Sequence, residues 1–449
     1  MNENFAKFIL DFSYFLRGEG VWTILDRIDG YQWLTSNSLE EMQFYQIKKL
    51  LSSAFLHVPY YQKIMKERGI HPDGIQSFED FSQFPILTKE NIKANWRYLM
   101  NRNAKLRTSL RQTSGSTGVP LRIIKDRQTT AFMDAAMYRS YSWYGISPGA
   151  RQLRIWGTEI GALGKAKERL KDLLLNRIRL SAFDLDKSNF SDLIWRIDRF
   201  RPFFIYGYAQ SVFEFAKFIV GENLDLSYLN LRAAIVTGEM IFDWQKQLIN
   251  CAFKCPVINE YGCTEAGIIS IECPSGNMHV MSDILYVETL KSNGLNDEEE
   301  GEILITELNN NYSPLIRYKV GDKGKLFNKL CPCGRGFPVL THLKGRSDDF
   351  IVFPSGKRVD PYVLEYIIKE IPVKYGTVNQ FMIVQPTLST LNIRLISNST
   401  YTDKLKAVIQ SNWNKIYGSE ISLIIEIVNT LPKNPSGKLS CFKSLLLRE

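Results

Sequence analysis

Three short apolar runs constrain the fold of this chain most: Phe203-Phe204-Ile205-Tyr206, Ala233-Ala234-Ile235-Val236 and Val257-Ile258. Each stops at a polar or glycine-bearing segment, at Gly207, at Gly238 and at Asn259-Glu260-Tyr261-Gly262 respectively. Runs this short and this continuously apolar suit strands buried on both faces. Helical patterns over 211–220 and 244–253 separate them. Strands alternating with helices predict an α/β fold, with a largely parallel sheet and helices on both faces. Ligands of such sheets bind beyond the carboxyl ends of the strands, where the glycine-bearing segments lie.

The rest of the chain reads around that frame. Phe5, Phe8, Ile9, Phe12, Phe15 and Leu16 fall at helical spacing and predict an amphipathic helix. Its stripe is expected to pack on its own domain, a membrane or partner being the alternative. Residues 39–69 read as helical, and Thr88 reads as the cap of a helix that follows it. A strand is expected over 121–125 and a helix over 128–144. From about residue 280, runs at 287–290, 301–307 and 324–327 joined by turns predict a more antiparallel, barrel-like segment. The charged stretch Gly345-Arg346-Ser347-Asp348-Asp349 marks a boundary, and the residues beyond it alternate strand and helix on the scale of a small α+β domain. The expected organisation is a core domain over 1–345, with mixed parallel sheets, flanking helices and the barrel-like segment, followed by a small mobile α+β domain over 346–449.

Composition narrows the class. A chain of 449 residues exceeds one ordinary core, and 45% hydrophobic with 23% charged residues is a globular balance. No run of about 18 apolar residues is present, so no transmembrane helix is expected. The first residues lack a small-residue cleavage site. Seven cysteines, an odd number in a long chain, do not suggest a disulfide framework, so a reducing cytoplasm is the expectation. The net charge of +9 suits phosphate-rich ligands or simple solubility. Nothing resembles a nucleic-acid recognition element, so no nucleic-acid partner is expected.

Chemistry concentrates in five places. Thr113-Ser114-Gly115-Ser116-Thr117-Gly118-Val119-Pro120 can wrap backbone N–H groups and hydroxyls around a polyphosphate, although no Gly-Lys-Ser/Thr of a Walker loop follows. Tyr261-Gly262-Cys263-Thr264-Glu265 offers a ring to stack on a base, a hydroxyl for a phosphate and a carboxylate for Mg²⁺. Gly321-Asp322 reads as a tight turn whose carboxylate can accept from ribose hydroxyls. Arg346 and Asp348 sit at the domain boundary, as a phosphate or ribose contact and a hinge. Pro435-Ser436-Gly437-Lys438 can deliver an ammonium to a developing oxyanion. Taken singly, each is equally a turn, a solvated glutamate, a charged linker or an exposed lysine.

Their order, over 326 residues from Thr113 to Lys438, resembles that of the adenylate-forming superfamily of acyl-CoA synthetases, adenylation domains and luciferases. Within it, Cys331-Pro332-Cys333-Gly334-Arg335 and the short N-terminal region resemble the phenylacetate-CoA ligase and coenzyme F390 synthetase branch. Residues 176–208 are similar to CapK-like members linked with capsular polysaccharide biosynthesis. The resemblance implies a two-step reaction: a carboxylate attacks the α-phosphate of ATP, giving acyl-adenylate and pyrophosphate, and a thiol of CoA or carrier phosphopantetheine, or another acceptor, then takes the acyl group. It further implies that Ser114, Ser116, Thr117 and the loop glycines hold the β- and γ-phosphates, and that Thr264 and Glu265 hold the α-phosphate and Mg²⁺. Asp322 and Arg346 would hold ribose, Gly238-Glu239 would receive adenine and Tyr261 would stack on it. Lys438 would neutralise charge and then leave as the small domain turns about Asp348. AMP transfer to an acceptor, and a non-catalytic polysaccharide-assembly partner of the same fold, are the alternative readings.

Cys273 and His279, with Cys331 and Cys333 beginning 52 residues beyond the histidine, supply three thiolates and one imidazole, enough for a closed tetrahedral zinc site. Spacing alone leaves four unrelated buried residues equally open; the resemblance implies a structural zinc. The substrate expected is a small carboxylic acid. Met133, Met137, Tyr138, Trp143, Tyr206 and Tyr208 are candidates for an apolar acyl pocket, and equally for core. The basic stretch Lys165, Lys167, Lys171, Arg177 and Arg179 offers a surface for an acyl carrier protein or a peripheral membrane contact, a solvated face being the plain reading. A sugar acceptor is the further partner that the CapK-like similarity implies.

Overall fold

A computed structural model describes residues 3–103, 108–112, 121–156, 162–181, 187–290, 300–328, 330–344, 351–359, 378–397, 399–432 and 442–446, with single positions between 361 and 371. The chain forms two compact units, Met1–Lys344 and Gly345–Glu449. The phosphate-loop candidate 113–120, the boundary residues Arg346 and Asp348, and Lys438 lie outside the described residues.

The first unit opens with helices α1 (Glu3–Arg17), α2 (Val21–Asp29), α3 (Ser36–His57), α4 (Pro59–Glu67), α5 (Phe78–Ser82) and α6 (Lys89–Asn95). The single helix expected over 39–69 is two. Pro59 cannot donate to the preceding turn, and Val58 before it is extended, at φ −111° and ψ 106°. Thr88 caps α6 as expected: its hydroxyl accepts from the backbone N–H of Asn91, which reciprocates. In α1, Ala6, Leu10 and Tyr14 turn inward, whereas Phe5, Phe8, Phe12, Phe15 and Leu16 are exposed. The expectation that the phenylalanine stripe packs on its own domain is therefore overturned. Small Ala6 allows α1 to lie close against Gly149, and Tyr14 finds partners in Asp134 and Tyr138.

A hairpin, β1 (Thr108–Gln112) and β2 (Arg122–Asp126), leads into α7 (Arg127–Ser142), capped by Asp126. Then follow β3 (Gln152–Trp156), α8 (Ala162–Leu174), β4 (Arg177–Ser181), α9 (Lys187–Phe200), β5 (Phe204–Tyr208), α10 (Ala209–Gly221), β6 (Ala234–Thr237), α11 (Asp243–Phe253) and β7 (Val257–Cys263). These five strands are parallel, in the order β4-β3-β5-β6-β7. Strict alternation explains why the run Ala233–Val236 is apolar throughout. Ala233 and Ile235 join the core that includes α2, α3 and α7, while Ala234 and Val236 join the core of α9, α10 and α11 on the other face.

Antiparallel strands β8 (Gly267–Glu272), β9 (Met278–Val280), β10 (Leu285–Leu290), β11 (Gly301–Glu307), β12 (Tyr318–Phe327) and β13 (Val339–Lys344) follow. They extend the same sheet, 11 strands in all, in the order β10-β11-β12-β13-β9-β8-β7 and onward. Two expected loops are strand. Tyr261-Gly262-Cys263 continues β7, because β8 pairs with it as far as Cys263↔Gly267. Gly321-Asp322 is a bulge inside β12 and not a turn: Leu304↔Lys319 is followed by Glu302↔Lys323, leaving two extra residues on β12.

The second unit carries β14 (Ile351–Val352), β15 (Arg358–Val359), β16 (Val378–Thr387), β17 (Thr390–Ser397), α12 (Thr402–Tyr417), β18 (Ser422–Ile427) and β19 (Phe442–Ser444). Its main sheet runs β18-β17-β16-β19. Leu391, Ile393 and Leu395 at strand spacing and Leu405, Ile409 and Trp413 at helical spacing join its own core. This is the α+β domain expected from the sequence.

Candidate functional site

The carboxyl ends of β5, β6 and β7 bring several sequence candidates to one edge of the sheet. Gly238 and Glu239 follow β6; the Glu239 carboxylate accepts from the backbone N–H of Gln210 at 2.9 Å, at the start of α10. In β7, Gly262 is required by packing, because a Cβ there would stand 2.2 Å from the Gly267 carbonyl oxygen. Just beyond the last β7–β8 pair, Cys263↔Gly267, Thr264 is exposed and Glu265 is buried.

Two tyrosines then tie this motif to β12. Tyr261 donates its hydroxyl to Asp322 at 2.8 Å, and Tyr318 donates to Glu265 at 2.9 Å. The structure thus gathers Tyr261, Glu265 and Asp322, which sequence alone could only order. Burial raises the hydroxyl pKa of both tyrosines, with the neighbouring carboxylates adding to it, so both remain donors. Tyr318 was missed in the sequence, because a tyrosine in an antiparallel strand reads as core. Lys89 was missed too. The 84–90 segment runs beside β12, with Leu87 bonded to Arg317 and Lys319. That pairing sets the Lys89 ammonium 3.4 Å from where a Cβ on Gly321 would stand.

A second polar cluster sits next to it. Glu260 of β7 is buried and accepts hydroxyls from Tyr141 and Tyr206, each at 2.9 Å. Burial raises its pKa above the ordinary 4.5, against the lowering effect of those hydrogen bonds. Trp156 stacks on Tyr208 at 4.0 Å between ring centres, and the Arg154 guanidinium lies over Trp156 and Tyr206 at 4.5 and 4.9 Å. The six acyl-pocket candidates therefore separate. Tyr206 and Tyr208 lie here, Tyr138 packs with Tyr14 and Trp22, Trp143 lies against His279, Met133 packs under Gly267, and Met137 packs against the large core.

The four metal-ligand candidates converge. Ligand atoms of Cys273, His279, Cys331 and Cys333 all lie within 4.8 Å of one another. Cys273 follows β8, His279 stands in β9 paired with Val339 of β13, and the two other cysteines occupy the β12–β13 loop. The Cys273–Cys331 sulfur separation is 3.7 Å. That is too long for a disulfide and close to the edge of about 3.8 Å that tetrahedral zinc–sulfur bonds of about 2.3 Å subtend. His279 Nε2 is 3.2 Å from Cys333 Sγ, while Nδ1 can donate to the Phe337 carbonyl at 2.8 Å, which would orient the ring and leave Nε2 for a metal. Asn277 donates to Cys331 Sγ at 3.2 Å. Desolvation lowers the His279 pKa, favouring the neutral ligand form. Burial pushes Cys273 up to about 11. For Cys333, burial is outweighed by hydrogen bonds from Arg335, Cys331 and Cys273, which hold its thiol below the ordinary value. The residue types and distances fit a zinc ion.

The rest of the Cys-Pro-Cys-Gly-Arg-Gly segment docks this loop. Arg335 donates to Gln32 at 3.0 Å and lies over Trp143 at 4.2 Å and Trp33 at 5.1 Å. The Gly336 N–H bonds the Gln32 carbonyl, and a Cβ on Gly336 would stand 1.8 Å from the Leu34 carbonyl oxygen, so only glycine fits. Of the remaining cysteines, Cys255 is buried and Cys251 is exposed.

This architecture is shared with solved adenylate-forming enzymes. A 2-hydroxyisobutyryl-CoA ligase in its postadenylation state, bound to an acyl-AMP, superposes with a TM-score of 0.75 at 17% identity, covering 92% of this chain and 91% of its own. The fold is that of the adenylate-forming class. Residues 351–444 match the CapK C-terminal domain. Protein CapK of Staphylococcus aureus is 23% identical over 90% of this chain and 88% of its own length. The phenylacetate-coenzyme A ligase of Thermus thermophilus is 24% identical over 76% of this chain and 77% of its own. Over most of its length the chain is thus similar to CapK and to phenylacetate-CoA ligases, and its last part matches the CapK C-terminal domain.

Proposed function

We propose that this protein activates a carboxylic acid with ATP, releasing pyrophosphate and forming an acyl-adenylate, and then passes the acyl group to a thiol of CoA or of a phosphopantetheine carrier. The observation that carries this reading is the joining of Tyr261 to Asp322 and of Glu265 to Tyr318 at the ends of β7 and within β12. These residues come from two motifs that the superfamily orders in the same way.

In this reading the sheet edge holds the nucleotide. Tyr261 faces the base, Asp322 accepts from ribose hydroxyls, and Thr264, exposed beside buried Glu265, donates to the α-phosphate. Glu265 and the phosphates would hold Mg²⁺, which supplies charge neutralisation at the pyrophosphate leaving group. Loop 113–118 would cradle the β- and γ-phosphates through Thr113, Ser114, Gly115, Ser116, Thr117 and Gly118. Lys438 would meet the charge that develops as the carboxylate oxygen attacks phosphorus. Arg346 would hold ribose, and Asp348 would be the hinge about which the 346–449 domain turns. The aromatic stack Trp156–Tyr206–Tyr208 beside Arg154 suits a flat or apolar acid. Cys273, His279, Cys331 and Cys333 would hold a structural zinc, with all four positions taken by protein and none open for catalysis.

Pyrophosphate release across a panel of carboxylic acids tests the first step. Adding CoA separates a ligase, which then yields an acyl-thioester, from an enzyme that transfers AMP. A sugar hydroxyl is the acceptor that a role in polysaccharide biosynthesis would need, and a sugar ester in the product mass would replace the thiol in the second step. If no acid in the panel elicits pyrophosphate release by the protein, the reading fails.

A further inference from the structure

The outward stripe of α1 is an apolar feature that the proposed chemistry does not use. At 100° per residue, Phe5, Phe8, Phe12, Phe15 and Leu16 occupy an arc of about 100°. The buried Ala6, Leu10 and Tyr14 point nearly opposite. The five outward side chains are between 53% and 78% exposed. A soluble helix that needed only to cover its domain would place its large apolar residues inward; α1 buries Leu10 and Tyr14 but leaves five large apolar side chains outward. Its neighbour repeats the pattern. α8 packs against α1 and exposes Leu170, Leu173 and Leu174 at helical spacing, between 42% and 65%. Eight large apolar side chains exposed on two touching helices exceed the scattered exposure ordinary for a soluble surface.

Charge indicates what covers them. Between residues 165 and 179 the chain carries six basic residues, Lys165, Lys167, Arg169, Lys171, Arg177 and Arg179, against two acids, Glu168 and Asp172. Both acids are engaged: Arg179 pairs with Glu168 at 3.2 Å, and Arg177 and Arg179 both pair with Asp172. The residual positive charge of this stretch, six minus two, is four of the chain's net +9. Arg169 and Lys171 are exposed on α8, and Lys7 is exposed on α1. Phenylalanines on one arc of a helix, with basic side chains beside them, match the way an interfacial helix lies in an anionic lipid surface.

We infer that α1 and α8 form a peripheral membrane-docking face that inserts the α1 phenylalanines at the headgroup boundary of an anionic bilayer. This does not depend on which acid or acceptor the protein uses. The full-length protein is sedimented with phosphatidylglycerol–phosphatidylcholine vesicles and with phosphatidylcholine vesicles alone. The expected result is binding to the former, weakened by salt. Phe8→Asp with Phe15→Asp should weaken partitioning by about tenfold or more, since binding scales with inserted apolar area. Phe8→Leu with Phe15→Leu should retain it. Lys7→Glu with Arg169→Glu should remove the salt-sensitive part while leaving the phenylalanines in place. Unchanged thermal unfolding of each variant shows that the fold survives. The inference is overturned if the wild-type protein does not sediment with anionic vesicles, or if the aspartate pair binds as well as wild type. It is equally overturned if light scattering shows a dimer that the aspartate pair dissociates while vesicles leave it unbound.

Discussion

Two of the polar clusters of the large unit teach different lessons about burial. In the Tyr261–Asp322 and Tyr318–Glu265 cluster, each named carboxylate already accepts a hydroxyl, so the protein satisfies its own polar atoms and can stand ready for a ligand. In the cluster of Cys273, His279, Cys331 and Cys333, three sulfurs and one imidazole lie within 4.8 Å of one another, a set that one tetrahedral cation would satisfy together. The first arrangement is complete within the chain; the second is one that a bound metal would complete.

That contrast is broken most easily at the metal cluster. Removing metal by chelation, or Cys331→Ser, is expected to lower unfolding free energy by about 4 kcal/mol or more, read by denaturant titration. Purified protein with no bound metal by elemental analysis would abolish the distinction. At the carboxylate cluster the losses should fall on rate instead. Lys438→Ala should slow acid-dependent pyrophosphate release by about 10²–10³-fold with the melting midpoint unmoved. Tyr318→Phe removes one hydrogen bond to Glu265 and should cost about 1 kcal/mol of stability, with a smaller effect on rate than Lys438→Ala. A rate loss in Tyr318→Phe as large as that of the lysine variant would show that the tyrosine orients Glu265 for chemistry.

The smallest effect is expected at Glu260. Its folded-state pKa is raised above the ordinary 4.5, chiefly by desolvation, so the folded protein binds its proton more tightly than the unfolded chain. The stabilisation from holding the neutral acid is complete below pH 4.5 and is lost as pH rises through the folded value. Glu260→Gln keeps an acceptor for Tyr141 and Tyr206 and should flatten stability against pH over that window. An unchanged slope in denaturation midpoints would mean that Glu260 stays ionised in the fold.

How much of this was legible in the sequence depends on the range of the signal. Three of the five parallel strands, β5, β6 and β7, were visible because each carries a continuous apolar run, whereas β3 and β4 alternate polar with apolar residues and were not; Thr88 was visible because a cap is a local device. Pairing partners were not. Whether Tyr261 ends a strand or continues it is decided by β8, and the β12 bulge by Glu302 and Leu304 on β11. Tyr318 and Lys89 matter through contacts that no local pattern announces. The α1 stripe was visible, but its direction was not, because helical periodicity identifies two faces without saying which one meets the core.

The hydrogen bond from Arg335 to Gln32 spans 303 positions of the chain. On a ribosome adding about 5–20 residues per second, Gln32 would emerge roughly 15–60 s before its partner exists. Through most of synthesis the amino-terminal helices must therefore persist without the cysteine loop that finally locks them. Their early companions are α3 and α4, which form a local α-hairpin. The contact is then a clasp between the beginning of the chain and a point three-quarters along it, one that can close only late in synthesis.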